Sequence, residues 1–201
     1  MKERLVKKVL LLIFLIPLLV LLLRFFLGDL GANPIEVATR ELGSWALRFI
    51  FLTLAISPLK ILTGWIFVIK YRRMIGLTAF FYSSLHLMSY IGLDQFFYFS
   101  EVWQDILKRK YITFGAAGFL MLLRLALTSS NNMIRRFGAK NWKRIHKLIY
   151  PASIMILLHF FMMTKADFLE PLLYFCLLLM LFTLRIPFKY FGKLFSMIKK
   201  L

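Results

Sequence analysis

Six long apolar runs constrain the fold more than any other feature of this sequence. Each approaches the roughly 20 apolar residues that an α-helix needs to cross a bilayer. The predicted spans cover about residues 9–27, 43–59, 74–93, 111–128, 145–163 and 170–186. Composition agrees, because 61% hydrophobic residues exceed what an ordinary soluble domain contains. We therefore predict an all-α integral membrane protein, a six-transmembrane-helix bundle that forms a single domain over residues 1–201 and has the lipid bilayer as its surroundings.

The first apolar run is preceded by basic residues, as in a signal peptide. It extends from Val9 to Leu27, which is longer than the roughly 7–15 apolar residues at the centre of a signal peptide, and no clear A-x-A cleavage site follows. We therefore expect a retained transmembrane helix in which Pro17 produces a kink.

The formal net charge of +18 reflects topology rather than nucleic-acid binding. The basic residues do not form a soluble face with aromatic residues between them, so no nucleic-acid partner is expected. One predicted side of the membrane holds most of the bases: Lys2, Arg4, Lys7, Lys8, Lys60, Lys70, Arg72, Arg73, Arg135, Arg136, Lys140, Lys143, Arg144, Lys147, Arg185, Lys189, Lys193, Lys199 and Lys200. The other side holds eight of the nine acids: Asp29, Glu36, Glu41, Asp94, Glu101, Asp105, Asp167 and Glu170. By the positive-inside rule, the N-terminus and the C-terminus are both cytoplasmic.

The three histidines of the chain fall at two depths in the predicted bundle. The third and fifth spans run in the same direction, so positions along them can be compared at about 1.5 Å per residue. His86 lies roughly 18 Å from the inner end of its span and His159 roughly 21 Å from the inner end of its own. His146 and Arg72 lie at the inner ends of these two spans. The sequence thus predicts an outer level and an inner level about 20 Å apart.

Two neutral imidazoles from separate helices at one depth suit the axial ligation of a b-type haem in a helical bundle. An ionisable or metal-binding group inside a membrane is costly, which makes a functional role the first hypothesis. We therefore predict that His86 and His159 are the axial ligands of a haem iron. With both axial positions filled, such a haem transfers electrons instead of binding substrate.

Other roles for these histidines remain open from the residues alone. Histidines in transmembrane helices form hydrogen bonds between helices, and they also serve in proton relays, although no acid lies deep in any predicted span. A structural zinc site would need about four ligands, and Cys176 is the only other strong candidate for a zinc ligand in the sequence. In the absence of zinc, we expect Cys176 to act as a small apolar side chain. His146, among Lys143, Arg144 and Lys147, could lie at the lipid headgroup surface.

Haem propionates are anionic and attract basic side chains. Arg48 lies about five residues into the second span from the outer side, and we predict that it contacts an outer propionate or anchors its helix. Arg124 lies near the inner part of the fourth span and is a second candidate for contacting a propionate. The alternative role for Arg124 is snorkelling toward the inner headgroups.

Four stretches carry a resemblance to a known family. They are "GSWALRFIFLTLAISPLK", "RRMIGLTAFFYSSLHLMSY", "KRKYITFG" and "LTSSNNMIRRFGAKNWKRIHKLIY". The chain resembles, over about residues 30 to 190, the haem-binding membrane subunit of the bacterial periplasmic methionine-sulfoxide reductase system, in the ferric-reductase-like transmembrane superfamily. The resemblance implies a six-helix bundle whose haem-binding residues correspond to His86, His146 and His159, with Arg72 ahead of the third-helix histidine.

The resemblance also implies a difference from the wider superfamily, in which two helices carry two histidines each and hold two haems. Here Arg72 takes the place of the inner histidine of the third span. One haem b at His86 and His159 is therefore expected, with His146 as the ligand of a possible second haem. The chain also lacks the nicotinamide and flavin domain of those relatives, so we expect that it cannot oxidise NADPH unaided.

The resemblance further implies an electron-transfer subunit, not a catalytic one, in the bacterial inner membrane. Electrons would come from the quinone pool or a cytosolic flavin reductase, with FMN as a further cofactor. They would reach a periplasmic molybdopterin-containing methionine-sulfoxide reductase that repairs oxidised periplasmic proteins. The basic loop 135–147 is a candidate for docking the donor. The outer loop 94–110, with Phe96, Phe97, Tyr98 and Trp103, is a candidate for docking the partner or for an interfacial aromatic belt. The competing hypotheses are a stand-alone transmembrane ferric reductase and a haem-free six-helix transport or binding protein.

Overall fold

The computed structural model describes residues 2–164 and 168–185, and its secondary structure in this part is entirely helical. The helices are α1 (Lys2–Phe26), α2 (Pro34–Thr63), α3 (Ile69–Ser89), α4 (Phe99–Lys108), α5 (Lys110–Leu127), α6 (Asn131–Ile145), α7 (Ile149–Met163) and α8 (Leu169–Thr183). Short 3-10 turns at Ile66–Val68 and His146–Leu148 lead into α3 and α7, and a π-helical segment, Tyr90–Asp94, continues α3.

Five helical stretches in the described residues are long and apolar enough to cross a membrane: Glu3–Phe26, Pro34–Thr63, Ile66–Asp94, Lys110–Leu127 and Asn131–Met163. They correspond to the first five predicted spans. The predicted sixth span corresponds to α8, which has 15 residues and would be about 22 Å long at 1.5 Å per residue, short of a hydrocarbon core of about 30 Å. The sixth span therefore stays a prediction. Its predicted end lies outside the described residues, as do Asp167, Lys189, Lys193, Lys199 and Lys200.

Two segments that the sequence analysis treated as loops are helical, and this corrects the prediction. The outer segment 94–110 contains α4, and the basic segment 135–147 lies largely in α6. α4 has 10 residues and repeats its apolar residues at three- and four-residue intervals, which favours a helix lying along a surface. α6 is polar, and it continues through the 3-10 turn His146–Leu148 into α7 as one helical stretch, Asn131–Met163. Gly138, at φ 73° and ψ 153°, interrupts the regular geometry of α6.

Local sequence accounts for the ends of the longest helix, α2. The Asn33 side chain accepts a hydrogen bond from the Glu36 amide at 3.3 Å, and Pro34 occupies the first helical position, where its missing N–H costs nothing. At the other end, Gly64 adopts a left-handed conformation (φ 73°), which a residue with a Cβ rarely does. These signals place the ends of α2 well beyond the predicted limits of 43 and 59.

The core of the bundle lies between α2, α3, α5 and α7. Leu54, Tyr82, Leu122 and Leu157 are among its buried side chains. By contrast, α1 lies on the outside with most of its leucines exposed. That distribution suits a helix whose apolar surface faces lipid, because lipid removes the penalty that water would impose on it.

The Tyr82 hydroxyl is inserted into the backbone of α1 beside Pro17. It donates to the Phe14 carbonyl at 2.8 Å and accepts from the Leu18 amide at 3.2 Å. These two backbone groups are four residues apart and would bond directly in an undisturbed helix. Proline disturbs this part of a helix, and a side chain from a neighbouring helix restores the bonding, as the hydrocarbon region requires. A continuous helix over the first span is thus confirmed, and the kink stays a prediction.

Segments predicted to share a membrane side lie at the same end of the bundle. At one end, Lys70 lies 3.5 Å from the Glu3 carboxylate, and Arg73 donates to the Asn131 side chain at 2.6 Å. At the other end, Arg24 of α1 pairs with Glu41 of α2 at 2.7 Å. The first end is called the basic end below and the second the acidic end.

Candidate functional site

His86 of α3 and His159 of α7 are neighbours in the bundle. Their ring centroids are 6.2 Å apart and their ring planes are inclined at 71°. The two side chains come from helices that are far apart in the sequence, and the sequence analysis paired them by depth alone. The structure brings them together.

Each of these rings is oriented by a backbone carbonyl of another helix. Nδ1 of His86 lies 2.8 Å from the Thr39 carbonyl oxygen, and Nδ1 of His159 lies 2.7 Å from the Tyr111 carbonyl oxygen. A carbonyl oxygen only accepts hydrogen bonds, so Nδ1 carries the proton in both rings and Nε2 keeps its lone pair. Among the described residues, no protein group forms a hydrogen bond with either Nε2. This is the arrangement typical of a histidine that binds a metal through Nε2.

Two glycines allow the rings to lie against the helices that orient them. A Cβ at Gly43 would lie 3.0 Å from Nδ1 of His86, and a Cβ at Gly115 would lie 2.9 Å from Nδ1 of His159. Real side chains hardly ever tolerate such approaches. The sequence analysis missed both residues, although glycine inside a transmembrane helix often marks a close approach.

The two histidines are held in equivalent ways. In α2, the acceptor Thr39 is four residues before Gly43, the glycine against which the His86 ring packs. In α5, the acceptor Tyr111 is likewise four residues before Gly115, against which the His159 ring packs. Four residues make about one helical turn, so acceptor and glycine lie on one face of each helix. The pairs α2–α3 and α5–α7 thus repeat one arrangement, a carbonyl and a glycine that together fix one imidazole.

The arrangement fits a haem with two axial imidazoles. Metal–nitrogen bonds of about 2 Å, with roughly 1 Å from each nitrogen to its ring centre, place the two ring centroids about 6 Å apart, close to the observed 6.2 Å. The hydroxyl of Thr39, the residue whose carbonyl accepts from His86, is buried without a hydrogen-bond partner in the described structure. A donor of this kind suits an anionic or polar group of a bound cofactor.

A zinc site would require further ligands nearby. In residues 2–164 and 168–185, no group of three or more His, Cys, Asp or Glu side chains is arranged to hold a metal ion. Cys176 of α8 is exposed and unpaired. The histidine pair therefore gains no third ligand of these types from the described chain.

A second feature lies at the basic end, where a cavity of about 370 Å³ opens between the helices. His146 and Arg72, which the sequence analysis placed at the inner level, both line it. The basic side chains in its wall are Arg72, Arg73, Lys143, Lys147 and Arg185, and its described lining includes no acid. A cavity of this charge attracts anionic groups.

His146 is packed into the wall of this cavity. Its ring stacks on Trp142 with centroids 3.9 Å apart, and its Nδ1 donates to the Trp142 carbonyl at 3.1 Å. Nε2 lies 3.4 Å from the Ser129 hydroxyl, which already donates its proton to the Leu125 carbonyl at 2.7 Å. His146 therefore has the same protonated nitrogen as the outer pair and packs against Trp142.

Two arginines complete the basic cavity. Arg72 donates to the Ser57 hydroxyl at 3.2 Å. Arg185, which follows α8, donates to the Tyr150 hydroxyl at 2.8 Å and to the Leu54 carbonyl, while its Nε is buried without a partner among the described residues. The sequence analysis used Arg185 only for topology, because its proximity to α2 and α7 is a property of the tertiary fold.

Neither Arg48 nor Arg124 contacts a histidine in the described residues. Arg48 is exposed on α2, with its guanidinium 4.7 Å from the centroid of the Trp45 ring. It lies about 140° around the helix from Gly43. Arg124 is exposed on α5 and does not line the basic cavity. A propionate contact for Arg48 stays a prediction.

Comparison with known proteins gives consistent relationships. Residues 42–157 match the family described as ferric reductase like transmembrane component. The chain is 51% identical over 172 residues to the protein-methionine-sulfoxide reductase heme-binding subunit of Rhodospirillum rubrum, covering 86% of this chain and 83% of that protein. It is 45% identical to the subunit of the same name from Azospira oryzae, with 84% and 73% covered, and 40% identical to that from Herminiimonas arsenicoxydans, with 90% and 84% covered.

Proposed function

This chain belongs to the family of haem-binding membrane subunits of protein-methionine-sulfoxide reductase, within the ferric-reductase-like transmembrane proteins, and on that premise we propose that it transfers electrons across a membrane by means of haem b. The observation that carries this proposal is the pair His86 and His159, with Nδ1 of each committed to a carbonyl. Bound haem supplies reversible one-electron transfer. His86 and His159 would hold the haem iron through Nε2, and the Thr39 and Tyr111 carbonyls orient the two imidazoles.

We infer a direction of transfer from the basic end to the acidic end. The basic end would face the cytoplasm of a bacterial inner membrane and receive electrons from the quinone pool or a cytosolic flavin reductase. A periplasmic molybdopterin-containing methionine-sulfoxide reductase would accept them at the acidic end. The partner is suggested by the names of the relatives, and the sidedness by the positive-inside rule.

The basic cavity is our candidate for a second cofactor. A second haem would have His146 as its one imidazole ligand, with Arg72 where a second histidine would otherwise be expected. FMN, whose phosphate is also anionic, is the alternative occupant. Both suit a wall with basic side chains from α3, α6, the 3-10 turn His146–Leu148 and the segment after α8. Neither His86 nor His159 is among the residues that line this cavity.

We propose that α4 is the docking helix for the periplasmic partner. Its bundle-facing side includes the buried Val102 and the mostly buried carboxylate of Asp105. A second side carries the exposed apolar residues Phe99, Trp103 and Leu107, which suit the membrane interface. The third side carries Glu101, Gln104 and Lys108, all exposed to the aqueous phase. This polar side would contact the soluble partner.

Replacing His146 by alanine should leave at least one haem bound per chain. The outer pair shares no hydrogen bond with His146, so removal of this ring affects only the basic end. Haem quantification by the pyridine haemochrome method, with the wild-type chain as the reference, measures the result. Complete loss of haem would contradict the assignment of His86 and His159 to one site of their own.

A reporter fused after Leu201 should behave as cytoplasmic. The expectation follows from the distribution of basic residues and from an even number of spans, with α8 as the sixth. Alkaline phosphatase, active in the periplasm, and green fluorescent protein, fluorescent in the cytoplasm, form a complementary pair of reporters. Phosphatase activity at this position would show that the predicted topology is reversed or that α8 does not cross the membrane.

The proposed function is tested by the dithionite-reduced minus oxidised absorption spectrum of the purified chain, followed by reoxidation with the reductase partner and a methionine sulfoxide substrate. Sharp b-type bands that disappear only when partner and substrate are both present support the proposal. A chain that remains colourless after haem reconstitution would favour a haem-free transport or binding protein. Rapid reoxidation by a ferric chelate without the partner would favour a stand-alone ferric reductase.

A further inference from the structure

We propose that Asp105 is a positioning residue that links the exposed helix α4 to both histidines of the outer pair. The inference rests on the proposed function of that pair as haem ligands. Only 14% of the Asp105 side chain is exposed. It lies at the acidic end on the side of α4 that faces the bundle, and it is a largely buried carboxylate with no role in holding the haem itself.

One arm of this link leads from Asp105 to His86. The Tyr90 hydroxyl donates to the Asp105 carboxylate at 2.7 Å. Tyr90 is four residues after His86, and its backbone N–H donates to the His86 carbonyl. It is also the first residue of the π-helical segment Tyr90–Asp94, and π-helical turns are frequent at functional sites. Asp105 therefore fixes the turn that directly follows the first ligand.

The other arm leads from Asp105 to His159. Nε of Arg109 lies 3.1 Å from the Asp105 carboxylate, and the same guanidinium donates to the Tyr111 hydroxyl at 3.4 Å. The Tyr111 carbonyl accepts the hydrogen bond from Nδ1 of His159 at 2.7 Å. Asp105 therefore helps to fix the residue that orients the second ligand.

Both arms begin at the Asp105 carboxylate. A displacement of α4, such as contact with another protein would cause, is transmitted through one carboxylate to the turn after His86 and to the acceptor of His159. The expected consequence is a change in the angle between the two imidazole planes, which are inclined at 71° in this structure. Because the carboxylate is also a largely buried negative charge, its removal should favour the reduced haem.

The experiment compares Asp105→Asn and Tyr90→Phe in the full-length haem-loaded chain in detergent. Asparagine keeps the shape of the side chain but removes the charge and weakens the contact with Arg109. Phenylalanine removes one hydrogen bond and no charge. The readouts are the largest g value of the oxidised low-spin haem in electron paramagnetic resonance, which depends on the angle between the imidazole planes, and the midpoint potential. Glu101→Gln, an exposed acid one turn earlier in α4, is the matched control.

We expect a shifted g value in both test variants, a raised midpoint potential in Asp105→Asn only, and wild-type values for both readouts in Glu101→Gln. Wild-type g values in Asp105→Asn and Tyr90→Phe at full haem content would overturn the inference while leaving the proposed function intact. If Asp105→Asn fails to retain haem, an unchanged g value in Tyr90→Phe overturns it. Absence of haem from the wild-type chain would overturn the proposed function instead.

Discussion

We expect the low-spin haem b spectrum to be lost completely when His86 or His159 is replaced by alanine. Each ring supplies one of two neighbouring imidazoles whose centroids are 6.2 Å apart. No other histidine lies at this level of the described bundle. Gly43 and Gly115, which lie against the two rings, have no side chain that could replace the lost ligand. The spectrum of each purified variant, with haem quantified per chain, measures the effect.

The His146→Ala variant is the control for this prediction, because it removes a histidine of the same helical region without touching the outer pair. Its bis-imidazole signal should remain. Retention of a full bis-imidazole spectrum in either His86→Ala or His159→Ala would reject the pairing. Added imidazole should partly restore the bands in the alanine variants, since the cavity left by the ring admits the free ligand.

The second large effect is expected for Gly115→Ala. The added Cβ would lie 2.9 Å from Nδ1 and 3.2 Å from Cγ of His159, so the ring must move away from its Tyr111 acceptor. Inserting a methyl group into a packed site typically costs about 1–3 kcal/mol, which would correspond to roughly a five- to 140-fold loss of haem affinity. Haem titration of the reconstituted chain and its low-spin spectrum measure this loss.

Two other glycines distinguish ligand displacement from general helix packing. A Cβ at Gly118, one turn further along α5, would lie 2.6 Å from Ile156 Cγ1 and therefore disturbs the same α5–α7 contact without reaching His159. A Cβ at Gly76 of α3 would lie 3.5 Å from Thr53 Cγ2, an ordinary contact. Gly118→Ala should lower thermal stability but preserve the haem spectrum, and Gly76→Ala should change neither. Equal loss of haem in Gly115→Ala and Gly118→Ala would show that packing alone is responsible.

The sequence predicted the parts of the fold that depend on local properties. The first five spans follow from the lengths of the apolar runs, because a bilayer requires about 20 apolar residues in a helix regardless of its neighbours. The pairing of His86 with His159 follows from the constant rise of a helix, which converts sequence position into depth. Helix α4 was missed because a short amphipathic helix has no such length requirement, and α6 was missed because its sequence is too polar to form an apolar run.

Only the tertiary structure decided how the site is built. The acceptors of the two Nδ1 protons are backbone carbonyls 47 and 48 residues away in sequence, and every residue has a carbonyl, so no residue type identifies them. Gly43 and Gly115 matter because a particular ring lies against them, and Arg185 reaches the basic cavity because α8 packs beside α2 and α7. The sequence by itself determined a helical membrane protein with two histidines at one depth, since hydrophobicity and helical rise act within a single segment. How separate helices pack decides which nitrogen of each ring is protonated, which glycines lie against the rings, and where the basic cavity forms. No single segment encodes that packing.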